Sequence, residues 1–358
     1  MPSKWRLLDT GVQHAHHNMA LEKVLLTSCT TGTVPNTLHL LEFLPCVLLG
    51  YNQSVEEAIE EGFCKQNQIE INRRISGGGC IYTDGGTLGW EIIAKKSTPG
   101  IPQNLEAMYR KLCEGLVLAL SKFGINAAYR PINDVEVDGR KISGTGGTEL
   151  YDSFIFHGTV LVDFDTEKMI RALKVPVKKL SDKQVSDFKQ RTVCMRELLG
   201  SPPEMSEVKA KLTAAFSEML GIEFLEGGLS EGEIKSLNEE LITFASDDWI
   251  YGRNVPHQKG SLNTFEYKAR GGLIRVSLLL DDAANYIKSA FITGDFFAYP
   301  ERGILSLENA LKNCLNRPEV IAKKINDFFA TQDIRIPGAG ADDFINAVTQ
   351  AAQAGNNK

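Results

Sequence analysis

The stretch Arg73–Glu91, RRISGGGCIYTDGGTLGWE, constrains this chain more than any other. A β-like run (Ile69, Ile71) leads into two arginines, then Ser76-Gly77-Gly78-Gly79, then a second β-like run. Three consecutive glycines let backbone approach a ligand with no Cβ in the way. Successive N–H groups in such a turn can form a concave anion site. Arg73 and Arg74 add positive charge and forked donors beside it. The segment therefore reads as a phosphate or carboxylate cradle. It equally suits a glycine bulge between strands with solvated arginines. It is not a dinucleotide fingerprint, which needs G-x-G-x-x-G opening a helix, nor a P-loop, which needs a terminal Gly-Lys-Ser/Thr.

With 358 residues, 43% of them hydrophobic, the chain can bury a sizeable core and suits two domains. The net charge of −6 argues against non-specific nucleic-acid binding. No apolar run reaches the length of a membrane span, and the N-terminus lacks signal-peptide or transit character. Seven scattered cysteines, never C-x-x-C, suit reduced thiols in a cytoplasm better than disulfides or zinc.

His14, His16 and His17 precede an apolar-periodic helix over Met19–Leu26; they suit a polar helix entry or a metal site. Thr37–Leu49 reads as two strands with a turn near Pro45, Glu56–Gln66 as a helix, and Thr87–Lys95 as a strand. The glycine loop then lies between strands at a sheet edge. Asn104 caps a helix whose Leu105, Met108, Leu112, Leu116, Leu120 and Phe123 form a core stripe ended by Gly124. Asn133–Val137 reads as a strand, Asp138-Gly139 as a hairpin turn, and Arg140–Gly147 as the return. Lys141 on that return can place a point charge on a phosphate or oxyanion, or be a solvated lysine. Phe154–Val162 is a further strand carrying His157, which suits a hydrogen-bonded core position. Lys168–Arg191 is a cationic run, a solvated face or a receiver for an acidic partner or a nucleotide phosphate. Two amphipathic helices follow, over Glu204–Leu220 and Leu229–Phe244. The loop YGRNVPHQKG marks a boundary between domains at 1–248 and 256–345. The second is a small α+β module with strands in Gly272–Leu280 and Tyr286–Thr293 and helices near Leu305–Leu315 and Pro318–Phe329. The tail from Ala339 is weakly patterned and expected to fray.

Taken together these segments resemble the lipoate–protein ligase A family of the biotin/lipoate ligase group. The matching residues are Asn18-Met19-Ala20-Leu21-Glu22, then Pro45–Gly50 before Asn52-Gln53. The central match is Arg73–Gly79 with Tyr82 and Asp84, followed by Asn133-Asp134, Gly139–Gly144 and His157-Gly158-Thr159. Their order and spacing agree over about residues 1–245, and the remainder looks like the ligase's accessory domain.

The resemblance implies an α+β fold: a mixed β-sheet catalytic domain with flanking helices plus a small C-terminal α+β accessory domain. It implies that lipoate and Mg-ATP give lipoyl-adenylate, whose acyl group passes to a lysine of an acceptor lipoyl domain. That acceptor is of the 2-oxoacid dehydrogenase E2 or glycine-cleavage H type; neither nucleic acid nor membrane is involved, and a monomer is expected. Lys141 is then the catalytic residue and Asp134 the Mg²⁺ ligand. Arg74, Ser76, Gly77, Gly78, Gly79, Cys80, Ile81, Tyr82, Asp84, Asn133, His157, Gly158 and Thr159 bind lipoate or ATP. Ile75, Cys80, Tyr82 and Trp90 are expected to line an apolar slot for the acyl chain. The family's basic stretch aligned with about Val177–Val193 reshapes over the adenylate. Departures from the family pattern are Thr83 for His, Thr87 for Asn, and Gly146-Gly147 after Lys-Ile-Ser-Gly-Thr. A same-fold alternative is an octanoyl or lipoyl transferase that works through a cysteine thioester, Cys80 or Cys194, or from preformed lipoyl-adenylate, without ATP.

Overall fold

The computed structural model describes residues 2–174, 190–255, 262–281 and 283–354. The greater part of the cationic run, Lys178, Lys179, Lys183 and Lys189 among it, lies outside the described residues, as does most of the stretch 177–193. Two compact units form. One comprises Met1–Leu48, Ile59–Arg73 and Ile81–Trp249; the other comprises Leu49–Ala58, Arg74–Cys80 and Ile250–Lys358. The glycine loop thus packs with the C-terminal unit.

In the first unit, eight strands form one mixed sheet. In chain order its members are β1 (Ser3–Gln13), β2 (Thr37–Phe43), β6 (Thr87–Lys95), β7 (Ala128–Arg130), β8 (Asp134–Val137), β9 (Arg140–Leu150), β10 (Ser153–Leu161) and β11 (Ile222–Glu226). The remaining strands of this part, β3 (Cys46–Leu49), β4 (Glu70–Arg73) and β5 (Ile81–Thr83), form a small sheet in the order β4-β3-β5. The large sheet runs β11-β1-β2-β6-β10-β9-β8-β7. β1 pairs in parallel with both β11 and β2, and the other pairs are antiparallel. β1 and β11 were not legible in the sequence.

Both faces of β6 are buried, which explains its near-continuous apolar run. Leu88, Trp90, Ile92 and Ala94 join a core with helices α2 (Leu105–Ser121) and α3 (Met205–Leu220), contributed by Leu112, Leu116, Leu212 and Phe216. The expected cap holds: Asn104 accepts from the Ala107 N–H, and Gly124 adopts φ +77°. Glu91, between Trp90 and Ile92, faces the other way, toward α1 (Ala15–Thr31), which carries Glu22. A further helix, α4 (Glu231–Phe244), starts with a Ser230/Glu233 capping box. The Glu233 carboxylate is also held by both terminal nitrogens of buried Arg6, at 2.8 Å each.

In the second unit, β12 (Asn263–Ala269), β13 (Gly272–Asp281) and β14 (Tyr286–Gly294) form an antiparallel sheet. Helices α5 (Gly303–Leu311), α6 (Pro318–Thr331) and α7 (Ala341–Gln353) complete its core. The expectation that the tail frays is corrected by α7. Phe344, Ala347, Val348, Ala351 and Ala352 follow helical spacing and are buried. Among the described residues no helix is long and apolar enough to cross a membrane.

Candidate active site

Lys141 owes its place to the turn before it. Asp138 and Gly139 both take positive φ, +51° and +76°, the conformation a two-residue hairpin needs. The turn returns the chain as β9, so Glu136 pairs with Lys141 and Asp134 with Gly144. Lys141 Nζ then lies 2.6 Å from Asp134 Oδ1. A side chain at Gly144 would meet Nζ at 2.7 Å, so the glycine leaves the ammonium its space. The Lys141 N–H donates to the Arg191 carbonyl, and the Val193 N–H donates to the Lys141 carbonyl. Cys194 follows directly. Asn133 is fixed beside the pair: its Nδ2 donates to the Thr145 carbonyl, and its own carbonyl accepts from Thr145 N–H and Oγ1.

The structure thus brings Asn133, Asp134 and Lys141 together. A half-exposed ammonium beside one carboxylate can hold an incoming carboxylate or phosphate, or stabilise a developing oxyanion. Mg²⁺ usually takes one or two protein carboxylates and completes its shell with water and substrate phosphates. Asp134 fits that role as a single ligand, once Lys141 yields its oxygen.

Tyr82 and Asp84 serve the β5–β6 connection. Tyr82 Oη donates to Asp84 Oδ2 at 3.0 Å, and Asp84 Oδ1 accepts from the Gly86 N–H. Burial, and then the Asp84 charge, push the Tyr82 phenol well above its ordinary value. Ile81 pairs with Leu48 in the small sheet. Thr159 pairs with Gly89, and Gly158 lies under the Trp90 indole, where a Cβ would come within 2.5 Å of the ring. Trp90 is itself wedged among Phe156, Phe216 and Gly158 in the core.

His157 belongs to a buried polar row that sequence reasoning missed. Strand register aligns His39 on β2, Glu91 on β6 and His157 on β10. His39 Nδ1 is 2.8 Å from Glu91 Oε2, and its Nε2 is 2.9 Å from Thr10 Oγ1. Glu22 comes down from α1, its Oε1 3.7 Å from His157 Nδ1. Burial, reinforced by the Glu22 charge and its hydrogen bond, pushes the Glu91 carboxyl well up. Burial pulls His39 down to about 3. Both shifts disfavour the charged forms, and His39 stays neutral at neutral pH. The one available signal was an acidic residue inside the run Gly89-Trp90-Glu91-Ile92-Ile93.

These shifts have opposite signs in stability. Glu91 binds its proton more tightly folded than unfolded, so its contribution is full below the ordinary glutamate value and is lost as pH rises. His39 contributes above the ordinary histidine value and loses that contribution as pH falls toward about 3. Glu91→Gln should remove the alkaline-side fall in melting temperature and leave the acid-side fall. Melting curves from about pH 5 to 9 check this; parallel profiles for variant and parent would contradict it.

The glycine loop, in the other unit, is held from within. Arg74 is buried, and its Nη2 donates to the carbonyls of Gly77 (3.1 Å) and Gly79 (2.8 Å). The Tyr51 N–H donates to the Ser76 carbonyl. Gly78 takes φ +93°, faces the Phe297 ring, and donates its N–H to the Phe296 carbonyl at 3.1 Å. Two expectations are corrected. The Gly78 amide is not bare, because the turn after β14 supplies an acceptor. Arg73 is not a ligand donor beside the loop: it is buried, with Nε donating to the Trp249 carbonyl and its own carbonyl accepting from Trp249 Nε1.

Residues 14–217 match the model of the lipoyl protein ligase A/B catalytic domain. The chain is 30% identical over 286 residues to a lipoate–protein ligase 1 of Staphylococcus aureus, covering 79% of this chain and 82% of that protein. It is 28% identical over 270 residues to an octanoyltransferase LipM of Kyrpidia tusciae, covering 69% of this chain and 98% of that protein. Among solved structures, a bi-partite lipoate protein ligase from Thermoplasma acidophilum, described with its E2 lipoyl domain, superposes with TM-score 0.65 at 25% identity. It covers 72% of this chain and 100% of its own. The chain belongs to the lipoyl protein ligase A/B family of lipoate ligases and octanoyltransferases.

Proposed function

We propose that this protein is an ATP-dependent lipoate–protein ligase of the cytoplasm. The observation that carries the reading is one of length. The K. tusciae octanoyltransferase is matched over 98% of itself by 69% of this chain, which leaves about a third of the chain without counterpart in it. The S. aureus ligase matches 79% of the chain. The longer match to the ligase favours the ligase reading over the transferase reading.

In the first step, a carboxylate oxygen of lipoate attacks the α-phosphorus of ATP, and the bond to the leaving pyrophosphate breaks. The two reactants repel each other, and Lys141 offsets that repulsion by holding the carboxylate. In the second step, the lysine amine of the acceptor lipoyl domain attacks the acyl carbon. The bond to AMP breaks and the amine loses a proton, while Lys141 stabilises the oxygen that becomes negative. Mg²⁺, held at Asp134, supplies further charge to the phosphates when bound. Asn133 keeps the Asp134–Lys141 hairpin in register. Arg74 shapes the loop of Ser76, Gly77, Gly78, Gly79 and Cys80. That loop takes a phosphate once the Gly78 N–H leaves the Phe296 carbonyl. Ile81, Tyr82, Asp84, His157, Gly158 and Thr159 complete the proposed lipoate- and ATP-binding set.

The second reading is acyl transfer without ATP, favoured by the full-length match to the octanoyltransferase. It would use Cys80 or Cys194, both half-buried, as the thioester nucleophile. Mass spectrometry of a purified lipoyl domain separates the two. A mass gain that needs ATP together with free lipoate or octanoate supports the ligase; a gain from an octanoylated carrier protein alone supports the transferase.

A further inference from the structure

We propose that His14, His16 and Glu70 form a binding site for a divalent transition metal of the zinc class, clasping the start of α1 to β4. The two histidines lie at the entry of α1, and Glu70 opens β4, more than fifty residues away in the chain. His14 Nδ1 is 3.1 Å from Glu70 Oε2, and His16 Nδ1 is 2.8 Å from Glu70 Oε1. One ligand atom from each of the three lies within 4.8 Å of the others. Ligands about 2.0–2.2 Å from a tetrahedral zinc stand roughly 3.3 Å apart, so little movement is needed.

The donor set is the class that zinc, nickel and copper take: two imidazoles and a carboxylate. It is also held in place by neighbours. Glu70 accepts from the Ala15 N–H at 3.0 Å and the His16 N–H at 2.9 Å, which fixes both carboxylate oxygens. The imidazoles stack with centroids 5.4 Å apart and planes at 27°. His14 is exposed and His16 half-buried, which leaves access for the ion and for water as a fourth ligand. Binding replaces whatever protons now bridge the Nδ1 atoms and the carboxylate; these pass to Nε2 or to solvent. A proton-bridged helix cap by Glu70 is the competing account of the same geometry.

The test uses the untagged full chain, stripped of metal and titrated with Zn²⁺ and with Co²⁺, whose visible spectrum reports ligand type. The expected result is one equivalent bound, a cobalt spectrum without thiolate charge transfer, and a melting temperature raised by Zn²⁺. In His14→Gln/His16→Gln, a variant that leaves the Glu70 cap in place, affinity should fall by at least about 100-fold. Glu70→Gln should weaken binding as well. No metal taken up beyond what the double variant takes, or a thiolate band showing that the cysteines hold the ion, overturns the proposal.

Discussion

Replacing Lys141 with alanine is expected to lower kcat for lipoyl transfer by about 10²–10³, some 2.7–4 kcal/mol of transition-state stabilisation. The side chain ends beside Asp134 at 2.6 Å and is part of no hydrophobic core, so the fold should survive its loss. What disappears is the ammonium beside Asp134 that can hold a reacting carboxylate or acyl oxygen. Asp134 would remain as an uncompensated negative charge, adding repulsion toward lipoate and ATP. The effect should therefore appear in kcat and in KM. Asp134→Asn in the same background should lower kcat further and not restore KM, because the proposed Mg²⁺ ligand is then lost as well. Wild-type turnover by Lys141→Ala, with melting temperature unchanged, would mean that Lys141 plays no part in the chemistry.

Gly50→Ala should both destabilise the protein and abolish activity. An added Cβ at position 50 would stand 1.9 Å from the Gly78 carbonyl oxygen and 2.9 Å from its carbon. Both are backbone atoms, so no rotamer change relieves the overlap. The loop from Arg74 to Cys80 would have to shift, breaking the Arg74 bonds to Gly77 and Gly79. Overpacking of this kind costs about 3 kcal/mol or more when backbone is the obstacle. Gly62→Ala is the control. It lies in the short helix Glu61–Gln66 with nothing within 4 Å of the added methyl. There the change should be neutral or stabilise by up to about 1 kcal/mol. Thermal melts of the two variants together with turnover decide it. Equal melting temperatures would show that the contact between Gly50 and Gly78 is not as close as described.

Local chemistry was legible where one short segment decides it. The Asp138-Gly139 turn, the Asn104 cap and the β6 run are each fixed by neighbours in the chain, and each forms where its residues indicate. The same holds for Lys141, whose position follows from the hairpin. Partners far off in sequence were not legible. The triple glycine reads as a bare anion nest, yet the acceptor for Gly78 comes from Phe296, and nothing near residue 78 announces it. Arg73 looks like a ligand donor until Trp249 takes its Nε. The row of Glu22, Glu91, His39 and His157 needs three strands in register beneath a helix, so its members look like isolated polar residues in the chain. The helix α7 was missed for another reason. Three of its five buried side chains are alanine, so its apolar stripe is real but carries little hydrophobic weight.

An enzyme that activates a free acid with ATP releases pyrophosphate before any acceptor is added. On mixing with Mg-ATP and lipoate, pyrophosphate should form stoichiometrically with bound lipoyl-AMP, depend on lipoate, and be lost in Lys141→Ala. Absence of pyrophosphate, alongside acyl transfer from a thioester donor that needs no ATP, would contradict the ligase reading.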